Sequence, residues 1–158
     1  SAPCLASEMA DRPHPFLDDA TLATRLNELL EGERAGVRGL MSMKAACTDD
    51  PALLALIDQV ERDEARFCSM LRRHLLRMGY PASRAIGGFF EKLMRRETLL
   101  DRLRLLDRGQ SAVVRTLDEL LPLVLDRALH RDLVEMRDVH VRNIARCAAW
   151  LDGPPPAR

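Results

Sequence analysis

Residues 59–79, QVERDEARFCSMLRRHLLRMG, decide the fold. Val60, Leu71, Leu75 and Met78 recur at the spacing of one helical face, charged residues fill the opposite face, and Gly79 follows the last turn. One residue interrupts the apolar seam from within it. Glu64 continues the series 57, 60, 64, 68, 71, so a carboxylate falls where the pattern asks for a hydrocarbon. Upstream, Asp50 and Pro51 read as N-cap and first helical residue, with Leu53 and Ile57 opening the seam.

The same periodicity extends in both directions. A first helix starts after Asp18-Asp19 and runs to about Cys47, with Leu22, Leu26, Leu30, Val37, Leu40 and Met41 inward. Residues 82–97 carry Gly87-Gly88 and a short helix, FFEKLMR, before a third long helix from about Leu99 to Val124. Its inward residues are Leu100, Leu103, Val114, Leu117 and Leu121, and Pro122 disturbs its last turn. A fourth helix spans about Asp126 to Leu151, with Leu129, Leu133, Met136, Ile144, Cys147 and Trp150 inward. Residues 1–17 read as a flexible arm, 18–152 as the helical domain, and 153–158, GPPPAR, as a disordered tail.

Composition narrows the function classes. A chain of 158 residues is one domain able to bury a core without disulfides. Acidic and basic residues balance at 24 each, so no global field favours nucleic acid or an anionic membrane. No apolar run reaches the ~18 residues of a membrane span, and the start lacks the pattern of a secretory signal. A cytoplasmic setting is expected. Cys4, Cys47, Cys68 and Cys147 show no C-x-x-C spacing and suit neither a zinc site nor a disulfide framework. The methionines at 41, 70, 78, 94 and 136 read as core filler, and Tyr80 as loop packing. No nucleophile motif, phosphate-binding loop or catalytic triad is present.

What remains is a constellation. Glu33 continues the first seam (26, 30, 33, 37, 40), whereas Glu31 falls with Asn27 and Arg38 on the polar side. Gln110 sits between Leu103 and Val114 on the third helix, and His140 continues 129, 133, 136, 140, 144, 147 on the fourth. Each of Glu33, Glu64, Gln110 and His140 lies about 15 residues from its hairpin turn, roughly 22 Å at helical rise. All four therefore share one level. The short connections make helices one and two, and three and four, antiparallel hairpins, while the middle connection is long enough to cross the length of the molecule.

LNELLEGERAG, QVERDEARFCSMLRRHLLRMG and LVEMRDVHVRNIARC together resemble the ferritin-like superfamily, in particular its rubrerythrin-related bacterial branch, over roughly residues 20–151. The resemblance implies an all-α, ferritin-like four-helix bundle: two antiparallel hairpins joined by a long crossover containing a short helix. Such bundles commonly dimerise, so a homodimer is expected, with any other protein partner unspecified. The family pattern places two metal ions between a Glu on the first helix, Glu-x-x-His on the second, a Glu on the third and Glu-x-x-His on the fourth. Glu33, Glu64 and His140 match it. Phe67 stands at the second helix's histidine position, Gln110 near the third helix's Glu, and Arg137 at the last Glu.

Three readings follow. In the first, one divalent ion (Fe, Mn or Zn) is held by Glu33, Glu64 and His140, with Gln110 or water completing the shell. In the second, equally open, the site is a metal-free polar network in a non-catalytic scaffold, where Arg137 and a protonated His140 neutralise the carboxylates. The third is a di-iron or di-manganese oxidase recruiting Asp107 or a residue from another chain. Cys68, four residues after Glu64, is an additional candidate ligand. His74 and His130 are expected near the surface and His14 in the arm.

Overall fold

The computed structural model describes residues 15–153, and among them every regular element is helical. In chain order these are α1 (Asp19–Met43), a 3-10 turn (Lys44–Cys47), α2 (Pro51–Arg77), α3 (Phe89–Arg95), α4 (Leu99–Leu120), a second 3-10 turn (Leu121–Leu123) and α5 (Arg127–Leu151). The long helices begin where the sequence supplies a capping oxygen. Asp18, Asp50, Thr98 and Asp126 each accept a hydrogen bond, at 2.7–3.1 Å, from the backbone N–H three residues on. Each cap contributes about 1 kcal/mol. Gly79, at a φ of 85°, ends α2 and lets the Gly79 and Tyr80 amides donate back to Leu76 and Leu75, satisfying carbonyls the helix end leaves free. Pro122 lies in the second 3-10 turn, so α4 stops at Leu120, short of the expected Val124.

Side-chain ties give the helix directions. Lys44 after α1 pairs with Asp58 and Glu61 early in α2, while Asn27 early in α1 bonds Pro81 just past α2. These two helices run opposite ways. So do α2 and α5: Trp150 donates to Asp50, Arg66 pairs with Glu135, and Arg77 with Asp126. Arg137 of α5 reaches back to Asp118 near the end of α4.

The segment between α2 and α4 runs along α1. Asn27, Glu31 and Arg34, one helical turn apart, fasten it: Asn27 bonds Pro81 O and Ser83 N, Glu31 accepts the Ser83 hydroxyl, and Arg34 donates to the Ser83 and Ala85 carbonyls. The polar side assigned to Glu31 and Asn27 is thus where the crossover docks. Next, α3 settles over glycines, with Leu93 filling the space above Gly39 and Phe89 pressed on Gly109. It delivers α4 beside the end of α1.

Two apolar clusters result. One joins Leu22–Leu30 of α1, Phe67–Leu75 of α2, Leu117 and Leu120 of α4 and Leu129–Val139 of α5. The other joins Leu40 and Met43, Leu53–Val60, Leu93, Leu103 and Leu106. The level between them holds Glu33, Glu64, Gln110, His140 and Asn143, all buried.

Several expectations change. Met41 is 57% exposed and Leu100 also faces solvent, while Met43, Leu106 and Leu120 are buried. The inward face of α1 passes through 36, 39, 40 and 43, so Met41 rotates outward. The arm expected over 1–17 does not extend to its last residues: the Leu17 amide donates to Leu123 O at 3.1 Å, and Leu17 packs on the first cluster. The rest of that arm, with Cys4 and His14, and residues 154–158 of the tail lie outside the described residues. His74 is buried rather than superficial. Its Nε2 meets Asp132 at 2.7 Å and its Nδ1 accepts from Arg77 at 2.8 Å, a polar tie that offsets the burial. No helix among the described residues is long and apolar enough to cross a membrane.

A methyl group at Gly39 would overlap the buried Leu93 side chain. Gly39→Ala is therefore expected to lower stability by about 1–2 kcal/mol in denaturant unfolding despite alanine's better helix propensity. Equal or greater stability would show that α3 does not depend on this contact.

Candidate metal centre

Glu33 comes from the middle of α1, Glu64 from α2, Gln110 from α4 and His140 from α5, with exposures of 1%, 4%, 2% and 1%. Each faces inward because it occupies a seam position whose neighbours one turn away are apolar: Leu29 and Leu30 for Glu33, Val60 and Phe67 for Glu64, Leu106 for Gln110, Met136 for His140. The structure brings three of them together. One ligand atom from each of Glu33, Glu64 and His140 lies within 4.8 Å of the others, a cluster able to hold a metal ion. Gln110 lines a cavity with Glu33 and Glu64, and neither of its amide atoms has a hydrogen-bond partner.

The orientation of His140 is set by the helix it sits on. Its Nδ1 lies 2.8 Å from the Met136 carbonyl oxygen, which only accepts, so Nδ1 carries the proton. That turns Nε2 towards Glu33, whose Oε1 is 2.8 Å away. A neutral imidazole in this tautomer presents a lone pair at Nε2. Two lone pairs at that separation need a proton or a cation between them. Metal-ligating histidines use the same arrangement, with the distal N–H held by a carbonyl or carboxylate.

Room for the second carboxylate comes from a missing side chain. A methyl group at Gly36, one turn after Glu33, would overlap the Glu64 carboxyl group. On the α2 side the Phe67 ring packs against His140, with centroids 5.5 Å apart, and Arg66 covers its outer face. Phe67 therefore supplies a wall and no donor.

The charges are unbalanced without a cation. Burial pushes the Glu64 carboxyl well above the usual range, and the charges of Glu33 and Asp63 add to the effect. Burial also pushes His140 down, but the charge and hydrogen bond of Glu33, with the Met136 carbonyl, outweigh it and leave His140 raised. Glu33 Oε2, Glu64 Oε2 and both Gln110 amide atoms are buried without a hydrogen-bond partner. Arg137 does not supply the missing charge. It turns outward, 36% exposed, and pairs with Asp118 on α4 and with Asp138. The network in which Arg137 neutralises the core carboxylates is thereby corrected.

Other candidates fall outside the cluster. Burial pushes the Cys68 and Cys147 thiols up to about 12, leaving them protonated. Asp107, raised by burial, lies one turn from Gln110 with an unpartnered oxygen, and is not grouped with the three ligands. Asn143 was not anticipated: it is buried one turn after His140 and donates to Asp63 at 3.0 Å. The spacing 136, 140, 143, 147 carries the signal for it, and choosing Ile144 as the inward residue hides it.

A family model described as a domain of unknown function, DUF6306, matches residues 20–149. The chain belongs to this family. The matched span runs from the start of α1 almost to the end of α5, so the DUF6306 domain includes the whole centre and the crossover. Searches of curated proteins and of solved structures returned no match.

Glu64 and His140 hold their protons more tightly in the native state than in the unfolded chain. The contribution of Glu64 is complete below its ordinary value of 4.5 and declines as pH rises towards its raised native value. That of His140 is complete below 6.5 and is lost as pH passes its raised native value. Asp18, Asp58 and Asp126, held low by their hydrogen bonds, lose their contributions only in acid. Chelator-treated protein should therefore be less stable at pH 8 than at pH 6 in urea titrations. A flat or rising profile would show that these protons are not held there.

Proposed function

We propose that this chain is a ferritin-like four-helix bundle that holds one divalent metal ion at Glu33, Glu64 and His140. Two antiparallel hairpins and a crossover fastened along α1 support the bundle. The single observation that carries the metal reading is the pairing of His140 Nε2 with Glu33 while Nδ1–H is fixed on Met136. An ion of charge 2+ would balance the two carboxylates and take the lone pair of a neutral imidazole. It would also relieve the solitary Glu33 and Glu64 oxygens, removing a burial cost of several kcal/mol.

Two carboxylates and one imidazole suit Fe(II), Mn(II) or Zn(II). Bound there with three protein ligands and an open position, such an ion would supply Lewis-acid or redox chemistry. The protein's own part is to hold the ligands and to limit water. Phe67 closes the α2 side with hydrocarbon, and Gly36 admits the Glu64 carboxylate. A two-ion reading finds no support in the geometry, since Phe67 offers no donor and Arg137 leaves the core.

Metal analysis of purified protein, before and after separate reconstitution with Fe(II), Mn(II) and Zn(II), tests the proposal. About one ion per chain is expected, lost in Glu33→Ala, Glu64→Ala and His140→Ala. Gly36→Ala, which alters no ligand, should weaken affinity by about tenfold or more by displacing Glu64. No bound ion under any condition would sink the proposal, and two ions per chain would restore the two-ion reading.

A further inference from the structure

Between α1 and α4, beside the carboxylates, is a hollow of about 180 Å³. We infer that it binds one small neutral molecule carrying adjacent hydrogen-bond donor and acceptor groups, as a carboxamide does, seated on Gln110. This goes beyond the metal reading and does not depend on it.

Gln110 provides the first argument. It lines the hollow, is 98% buried, and neither its amide oxygen nor its amide nitrogen has a partner in the protein. Buried amides are almost always paired, because an unmade bond there forfeits the hydration the group had in water. A molecule offering both a donor and an acceptor satisfies both atoms at once. Because both are free, the argument holds for either orientation of the amide.

Size and charge narrow the occupant. An engineered cavity of about 150 Å³ in another protein accepts benzene, so this hollow suits a molecule of that scale. Leu106, Val113 and Phe89 offer an apolar wall to its body. No Lys, Arg or His lines the hollow, and Glu33 and Glu64 do, which disfavours an anion.

Gly32 supplies an independent argument. A mid-helix glycine is destabilising relative to alanine, and close packing usually explains it. That holds at Gly36, Gly39 and Gly109, where an added methyl group would meet Glu64, Leu93 and Phe89. At Gly32 it would meet nothing within 4 Å. Gly32 lines the hollow, so what its missing side chain provides is empty volume.

Isobutyramide is a suitable probe, with 3-methyl-2-butanone as a control of the same shape that lacks the N–H donor. Titration of the full-length protein, chelator-treated and zinc-reconstituted in parallel, is followed by ligand-observed NMR. Isobutyramide should bind, and the ketone should bind at least about tenfold more weakly. Gln110→Leu should abolish that preference. Gly32→Leu should fold with a Tm at or above that of the parent and lose binding; Val113→Phe fills the same space from α4 if Gly32→Leu does not fold. Absence of isobutyramide binding in both preparations, or unchanged binding in the filled variant, would overturn the inference, and so would water alone serving Gln110. Metal content measured on the same samples separates the two proposals: amide binding without a bound ion supports only this one, and an ion without amide binding only the other.

Discussion

Two carboxylates buried at one level, between two apolar clusters, require positive charge close by. Glu33 and Glu64 arrive there because each sits on an otherwise apolar seam, so the burial that stabilises the helices carries the acids inward. Nothing basic among the described residues reaches them except His140, whose Nδ1–H is committed to the Met136 carbonyl. The positive charge must come as a proton or as an ion. That choice links helix packing to pH dependence and, on the proposed metal reading, to metal affinity.

The crossover and the glycines shape what surrounds that centre. The Asn27, Glu31 and Arg34 ties fix the crossover along α1, which brings α3 to rest on Gly39 and Gly109. Gly36 gives its space to Glu64, and Gly32 leaves its space open. Helix α1 therefore devotes one edge to building a pocket wall, at some cost in helix propensity. Its polar edge holds the chain segment that leads into α3, whose Phe89 lines the pocket.

Much of this was legible in the sequence. Cap chemistry at Asp18 and Asp50 places two helix starts, the fourth long helix begins beside the expected Asp126, and FFEKLMR coincides with α3. The level of Glu33, Glu64 and His140 followed from counting residues to the hairpin turns, because helical rise is nearly constant. Facing errors were harder to avoid. Met41 and Leu100 are apolar but rotate outward, since a helix buries a stripe wider than one seam and hydrophobicity alone does not say where its edge lies. His74 and Asn143 went inward because partners on neighbouring helices, Asp132 and Asp63, satisfy them. Arg137 went outward for the same reason, drawn by Asp118. Such pairings depend on tertiary contacts that no single helix pattern contains. The hollow beside Gln110 is likewise not legible, because its walls come from four separate helices and only Gly32 leaves its side-chain space open.

The most direct test of the central claim is the number of protons released when the ion binds. Calorimetric titration of chelator-treated protein with Zn(II) at pH 7, repeated in buffers of differing ionisation enthalpy, reports it. If protons occupy the centre in the ion's absence, between about one and two should leave for each ion bound, and affinity should rise with pH. Stoichiometric binding with no proton release would contradict the account, because it would mean that Glu64 and the Glu33–His140 pair held no exchangeable proton.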